Sequence, residues 1–362
     1  MSGWDRYETP YLRLLPEAIE VTISPEPKPP RAAETIVSTA FAGRVPGRSR
    51  AEFLAELVAL QDSIVVAGAH GKTTTAAMIA FVLDRLGHDP GFLIGAEVPQ
   101  LGGNARAGSG WLVVEGDESD RTIEQLRPKI AVLTNVDLDH HSEFASRTEV
   151  EGLFERWVAT VPQVVRGDTL EPYDGELNLP GEHNRRNAAA ALAALEVAGV
   201  DRRQAWPVLR EFRGAGRRLE EVGVAGDVRV VDDYAHHPAE IRATLGALRE
   251  QGGSRILALF QPHLYSRTRY LARETAAALA NADVVAVTDV YPAREKPVEG
   301  VTGKLIVDAL SELRPGMTIG WTPRVEDGAR FIAGRARRGD IVLTAGAGDV
   351  DRAAPLVLEA LE

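Results

Sequence analysis

The chain of 362 residues contains no cysteine. That excludes disulfides, thiolate metal sites and cysteine nucleophiles, and a cytoplasmic protein is the expectation. Lysine is also scarce: among 41 basic side chains only Lys28, Lys72, Lys129, Lys296 and Lys304 are lysine. No apolar run approaches the roughly 20 residues a membrane-spanning helix requires, so no membrane partner is expected. The opening MSGWDRYETP lacks a basic stretch followed by an apolar core, and no secretory signal is visible. Positive charge is in deficit as well, 52 acidic residues against 41 basic giving a formal charge of −11. Such a balance repels phosphate backbones and argues against a nucleic-acid partner.

What is present is ordinary for a globular enzyme, with 44% hydrophobic and 26% charged residues. The length suggests two domains. Pro25, Pro27, Pro29 and Pro30 read as an extended linker, followed by a strand-like run over 34–38 and a helix over 49–60. From Ser63 the pattern becomes strand, turn, helix. Strands are expected at 64–67, 111–115, 130–136 and 163–166, with helices after Lys72 and over 184–197. Past Glu220 the alternation is cleaner, with strands at 228–232, 256–260, 284–288, 318–321 and 341–344 separated by helices. This spacing predicts an α/β fold, parallel sheets covered by helices on both faces.

Three segments carry chemistry. Gly68-Ala69-His70-Gly71-Lys72-Thr73-Thr74 joins an apolar strand to a helix. Backbone N–H groups at such a turn hold phosphate oxygens, a lysine adds a point charge, and a threonine hydroxyl can ligate Mg²⁺. Val66 stands where the usual phosphate-loop pattern has its first glycine. The strand at 111–115 ends in Glu115-Gly116-Asp117-Glu118-Ser119-Asp120, and the strand at 130–136 ends in Asp137-Leu138-Asp139-His140-His141. Polar groups at the carboxyl ends of parallel strands sit where open α/β sheets bind ligands. An acidic turn of this kind is, by itself, equally consistent with a solvated surface.

These segments, with GEHNRRNAAAA (181–191), RRLE (217–220), DDYAHHPAEI (232–241), FQPHLYSRT (260–268) and GAGDV (346–350), resemble the Mur ligases. The double-histidine segment and FQPHLYSRT are most similar to the alanine-adding branch. The resemblance runs in order from Ser63 to the C-terminus and implies an ATP-dependent amide ligase, with a non-catalytic nucleotide-binding paralogue as the alternative. A central phosphate-loop-type ATPase domain (62–219) and a Rossmann-like C-terminal domain (220–362) would follow a reduced N-terminal segment (1–61). Gly68, His70, Gly71, Lys72, Thr73 and Thr74 would hold ATP phosphates, with Thr73 and Glu115 on one Mg²⁺ and His140 on a second. His183 and Asn187 would face the adenine, Asp233 the ribose, and Arg218 the γ-phosphate. His236, His237 and Arg267 would line the amino-acid end, the histidine pair serving either as base or in positioning alone. The site would be complete only when the C-terminal domain closes over the central one.

One departure bears on the acid. The family's N-terminal domain opens on a glycine-rich turn, whereas residues 1–61 contain only Gly3, Gly43 and Gly47. The expectation is therefore small-molecule carboxylate and amino-acid substrates, with the acid open between UDP-N-acetylmuramate and another. A homodimer, or a partner supplying the rest of that domain, is the corresponding expectation for assembly.

Overall fold

The computed structural model describes residues 2–5, 20–24, 26, 34–38, 41, 43–138, 143–252, 254–293 and 295–362. The four prolines read as a linker lie outside them, apart from their neighbour Glu26. Two parallel strand pairs come first, β1 (Ser2–Asp5) with β2 (Glu20–Ile23), then β3 (Ile36–Val37) with β4 (Arg48–Ser49). Ser49 then caps α1 (Arg50–Leu60): its hydroxyl accepts the Glu52 N–H at 3.1 Å, and Glu52 reaches back to the Ser49 N–H at 2.9 Å.

The first large sheet has six strands: β5 (Ser63–Ala67), β6 (Gly91–Val98), β7 (Gly103–Arg106), β8 (Leu112–Glu115), β9 (Ile130–Leu133) and β10 (Gln163–Arg166). Their order is β10-β9-β5-β8-β6-β7. Side chains alternate across β5, as a strand buried on both faces requires. Ile64 and Val66 pack under α2 (Lys72–Arg85), α4 (Glu182–Val197) and α5 (Arg202–Leu209). Val65 and Ala67 face α1 and α3 (Arg147–Val158). β8 and β9, consecutive in sequence, flank β5 on opposite sides, so the carboxyl ends of all three open onto one crevice.

The second sheet is built the same way from β11 (Glu220–Ala225), β12 (Val228–Asp233), β13 (Ile256–Phe260), β14 (Val284–Val287), β15 (Thr318–Trp321) and β16 (Ile341–Ala345). Its order is β11-β12-β16-β13-β14-β15. One face carries α6 (Pro238–Glu250), α7 (Tyr265–Leu279) and α8 (Lys304–Leu313); the other carries α9 (Val325–Ala333) and α10 (Ala353–Leu361).

The α/β architecture expected from the sequence is present, with a correction to the purely parallel sheets. Each sheet has one antiparallel edge, β7 on β6 and β11 on β12. Those edge strands and β6 carry glycine or polar residues on half-exposed surface, so they lack the continuous apolar runs that marked the buried strands. Helices α3 and α5 also went unread in the sequence; α5 contains Pro207, and α3 mixes charge with its apolar stripe.

Candidate active site

The phosphate loop is shaped by two glycines with positive φ. Gly68 (φ +129) passes so close to β9 that a Cβ would lie 2.3 Å from Thr134 Oγ1. Gly71 (φ +81) would put a Cβ 2.3 Å from Asn187 Oδ1 on α4. No larger residue fits either place. The end of β9 holds the loop from beneath. Asn135 accepts the His70 N–H at 2.9 Å, while Asn135 Nδ2 and the Thr134 hydroxyl donate to the His70 carbonyl at 2.8 and 2.7 Å. Sequence reasoning placed the TNVD segment near the loop but missed this clamp.

At the start of α2 the loop presents Lys72 and Thr73. Lys72 Nζ donates to Gly68 O at 2.6 Å and to both Glu118 oxygens at 3.0 and 3.2 Å. Burial lowers the affinity of that amine for its proton, but Glu118, Asp117 and Glu115 together outweigh it and raise the pKa. The sequence did not single out Glu118 as the partner of Lys72; its signal was its place in the acidic cluster after β8. The Thr73 hydroxyl donates to Glu115 Oε2 at 3.0 Å, a contact set by the pairing of Glu115 with Val66 across β8 and β5.

The second sheet is reached through a turn at Arg217–Leu219. Arg217 and Leu219 both adopt left-handed backbone, φ +55 and +51, uncommon for residues with side chains. Asp233, at the end of β12, holds that turn: one oxygen accepts the Leu219 N–H at 2.8 Å and the other the Ala235 N–H at 2.7 Å. Burial pushes the Asp233 carboxyl up to about 6, against the pull of Arg218. Arg217 pairs with buried Asp232 at 2.8 Å and donates to the Gly346 and Gly348 carbonyls. So anchored, the turn sends Arg218 across the cleft, where Nη2 donates to Thr73 Oγ1 at 3.3 Å. The Arg218 guanidinium also lies 4.8 Å above the Tyr234 ring.

The double histidine divides into two roles. The His237 Nδ1 accepts the Ala239 N–H at 3.3 Å and caps α6, and the ring is 7% exposed behind the cleft wall. His236 lines the cleft, its Nδ1 donating to the Tyr234 carbonyl at 2.9 Å. That bond leaves the basic lone pair of a neutral ring on Nε2. Edge-on to His236, at 5.7 Å between centroids, stands His263, which accepts from buried Arg267 at 3.2 Å. His70 faces His237 at 5.0 Å and lies 3.1 Å from Glu240 and 3.7 Å from Asp137. The His70 contact holds the Asp137 carboxyl down at about 2. Donor atoms of His70, Asp137 and His237 thus converge within 4.8 Å, which the ion pairing of His70 and the capping role of His237 account for.

Most of these groups line one cleft of about 1560 Å³ between the two sheets. His70, Gly71, Lys72, Thr73, Thr74, Glu115, His183, Asn187, Arg218, Asp233, His236 and Arg267 line it. Gly68 and His237 sit behind its wall, and His140 lies outside the described residues. The buried Asn187 amide abuts the loop at Gly71. His183 opens α4 nearby, where burial lowers its pKa. Phe41 and Arg44, from the segment before the first large sheet, also reach the cleft.

A phosphate loop in one α/β domain, met across a cleft by an arginine and histidines from a second, defines a nucleotide-dependent ligase. Sequence profiles agree: that of the Mur ligase middle domain matches residues 66–169, and that of the Mur ligase glutamate ligase domain matches residues 217–348. A UDP-N-acetylmuramate–L-alanine ligase of Renibacterium salmoninarum is 40% identical over 364 aligned positions, covering 86% of this chain and 77% of that protein. The enzyme of the same name from Pelotomaculum thermopropionicum is 38% identical over 84% of this chain and 77% of its own. The crystal structure of UDP-N-acetylmuramate–alanine ligase from Thermotoga maritima superposes with a TM-score of 0.80 at 26% identity, covering 99% of this chain and 92% of that one. The chain belongs to the Mur ligase family, the ATP-dependent enzymes that form amide bonds between an acid and an amino acid. Among the described residues no helix is long and apolar enough to cross a membrane.

Proposed function

We propose that the chain joins L-alanine to the carboxylate of UDP-N-acetylmuramate, the pair in the names of its relatives, with cleavage of ATP to ADP and phosphate. The observation that carries this reading is the meeting of Lys72, Thr73 and Glu115 with Arg218, whose guanidinium lies 3.3 Å from the Thr73 hydroxyl. That cluster faces the place a γ-phosphate would take at the start of α2. Two hard oxygen donors 3.0 Å apart, the Thr73 hydroxyl and the Glu115 carboxylate, suit Mg²⁺. Bound there, Mg²⁺ would supply charge to offset the phosphates.

The protein's own groups account for the rest. A substrate carboxylate oxygen bonds to the γ-phosphorus as the bond to the ADP oxygen breaks, giving an acyl phosphate. Lys72 and Arg218 stabilise the charge gathering on the transferred group. The alanine nitrogen then bonds to the acyl carbon, inorganic phosphate leaves, and the amine proton passes to a base. His236 is assigned that task, because its Nε2 carries the basic lone pair and its ring lines the cleft. Arg267, beside His263 in the cleft, is assigned to the amino-acid carboxylate. His183 and Asn187 are assigned to the adenine end and Asp233 to the ribose.

A different carboxylate is the alternative reading of the same site. Steady-state ADP release with L-alanine and a panel of acids decides between them. Turnover with UDP-N-acetylmuramate is the expected result; turnover only with acids lacking the nucleotide overturns it.

A further inference from the structure

The phosphate loop and the double histidine belong to different domains, yet one carboxylate touches both. Glu240 stands in the first turn of α6, its side chain 18% exposed. Its Oε2 accepts the backbone N–H groups of His236 and His237 at 3.1 and 3.2 Å. Reaching back to the N-cap in this way is the ordinary task of a glutamate three residues into a helix, and it needs a single oxygen. The other oxygen does something a cap does not require. Oε1 lies 3.1 Å from the Nδ1 of His70, 170 positions away in the phosphate loop. Since a carboxylate oxygen accepts, that nitrogen donates. Burial disfavours the Glu240 carboxylate, but the neighbouring His236 ring and the His70 contact hold its pKa well below the usual range.

The loop side of the contact is equally fixed. The His70 main chain is clamped by Asn135 and Thr134. Two residues on, Lys72 opens α2 and reaches back to the Gly68 and Ala69 carbonyls. A pull on His70 is therefore a pull on the loop that carries Lys72. On the far side, the amides held by Glu240 belong to the turn that aims His236 into the cleft.

The geometry points to Glu240 as a positioning residue of the ligation reaction, docking the phosphate loop through His70 onto the turn that presents His236 when the domains close. This rests on the ligase reading above. Misplacing reacting groups by about 1 Å costs on the order of 100-fold in rate, so loss of the dock lowers kcat more than ATP binding.

The test compares Glu240→Gln, His70→Asn and the double variant in the full chain. ADP release is followed with ATP, Mg²⁺, L-alanine and the acid that the wild-type chain turns over. Glutamine keeps an oxygen for the helix cap, and His70→Asn leaves α6 untouched, so the loop side tests the proposal should the first variant unfold. Each single variant is expected to lose kcat by about 10-fold or more, with KM for ATP within about 3-fold, and the double variant no more than the worse single one. Losses that multiply in the double variant, or a His70→Asn enzyme with wild-type kcat, overturn the proposal. A second readout needs no turnover: energy transfer between a dye on each domain, as a non-hydrolysable ATP analogue is added. Both variants are expected to close less completely than wild type, and equal closure in all three overturns the dock. If no acid supports turnover by the wild-type chain, the reaction reading has failed, while the closure measurement still decides the role of Glu240.

Discussion

The Lys72 ammonium, partly exposed, is held 3.0 Å from the buried Glu118 carboxylate at the mouth of the phosphate loop. A phosphate arriving at the loop competes with Glu118 for the same cation, so the carboxylate acts as its internal counter-ion. Removing one partner of such a pair leaves an uncompensated charge, and Glu118→Gln is expected to destabilise the nucleotide-free protein by about 2 kcal/mol, less than a fully buried pair because Lys72 is 18% exposed. ATP with Mg²⁺ then restores the missing partner. Thermal melts check both halves: Tm is lowered without nucleotide, and the rise on adding nucleotide is larger than in wild type. An equal rise in both proteins counts against the counter-ion role.

Lys72→Ala has a different outcome. It strands Glu118 and removes a charge needed as the γ-phosphate is transferred, so ADP release is expected to fall by about 1000-fold or more. Isothermal titration with ATP, run alongside, separates lost binding from lost chemistry.

The loop glycines make a steric prediction with an internal control. Gly71→Ala meets Asn187 Oδ1 at 2.3 Å and also strains a backbone at φ +81. Pairing it with Asn187→Ala removes the clash but leaves the strain, about 1–2 kcal/mol for an L residue in left-handed backbone. The double variant is expected to recover part of the thermal stability lost in Gly71→Ala, never all of it. At Gly68 the obstruction includes the Asn135 backbone at 2.7 Å, so no single side-chain truncation relieves Gly68→Ala.

Asp233 supplies a pH dependence. Burial raises its folded pKa to about 6, against an unfolded value of about 3.9. Between those values the folded chain keeps a proton that the unfolded chain has released. Its contribution to stability is complete below about pH 4 and is lost as pH rises through 6, up to about 3 kcal/mol across the window. Urea melts from pH 4 to 7 should show this decline in wild type and a flatter profile in Asp233→Asn. The comparison is of slopes, because asparagine also loses one acceptor for the turn amides.

Glu115→Gln tests the oxygen pair with Thr73. It keeps a side chain of the same size but removes the charge a divalent cation needs. The Mg²⁺ concentration for half-maximal rate is expected to rise by about 10-fold or more, and an unchanged Mg²⁺ curve removes Glu115 from the metal site.

Much of the fold was legible because the strands that matter are buried on both faces. Ile64–Ala67, Ile256–Phe260 and Ile341–Thr344 are apolar runs closed by glycine or polar turns, and each is a strand. The apolar pattern also marked α1, and the structure adds the reciprocal cap of Ser49 and Glu52. The edge strands β7 and β11 were not legible, since an exposed antiparallel edge is chosen by what it pairs with. For the site, the resemblance to the Mur ligases implied that Lys72, Thr73, Glu115 and Arg218 lie together, and all four line one cleft.

What the sequence by itself determined is the chemistry available: a glycine-bounded lysine loop, carboxylates and histidines after strands, and no thiol to serve in their place. Tertiary structure alone decided which of these groups act on one another. Two adjacent histidines share one motif, yet the start of α6 spends His237 on a helix cap and turns His236 into the cleft. Two glutamates three positions apart are equivalent as sequence, yet β8 aims Glu115 at Thr73 while the turn beyond it gives Glu118 to Lys72. Such choices depend on distances of about 3 Å between groups far apart along the chain. Those distances are fixed by the packing of two sheets and the turn between them, which no local pattern encodes.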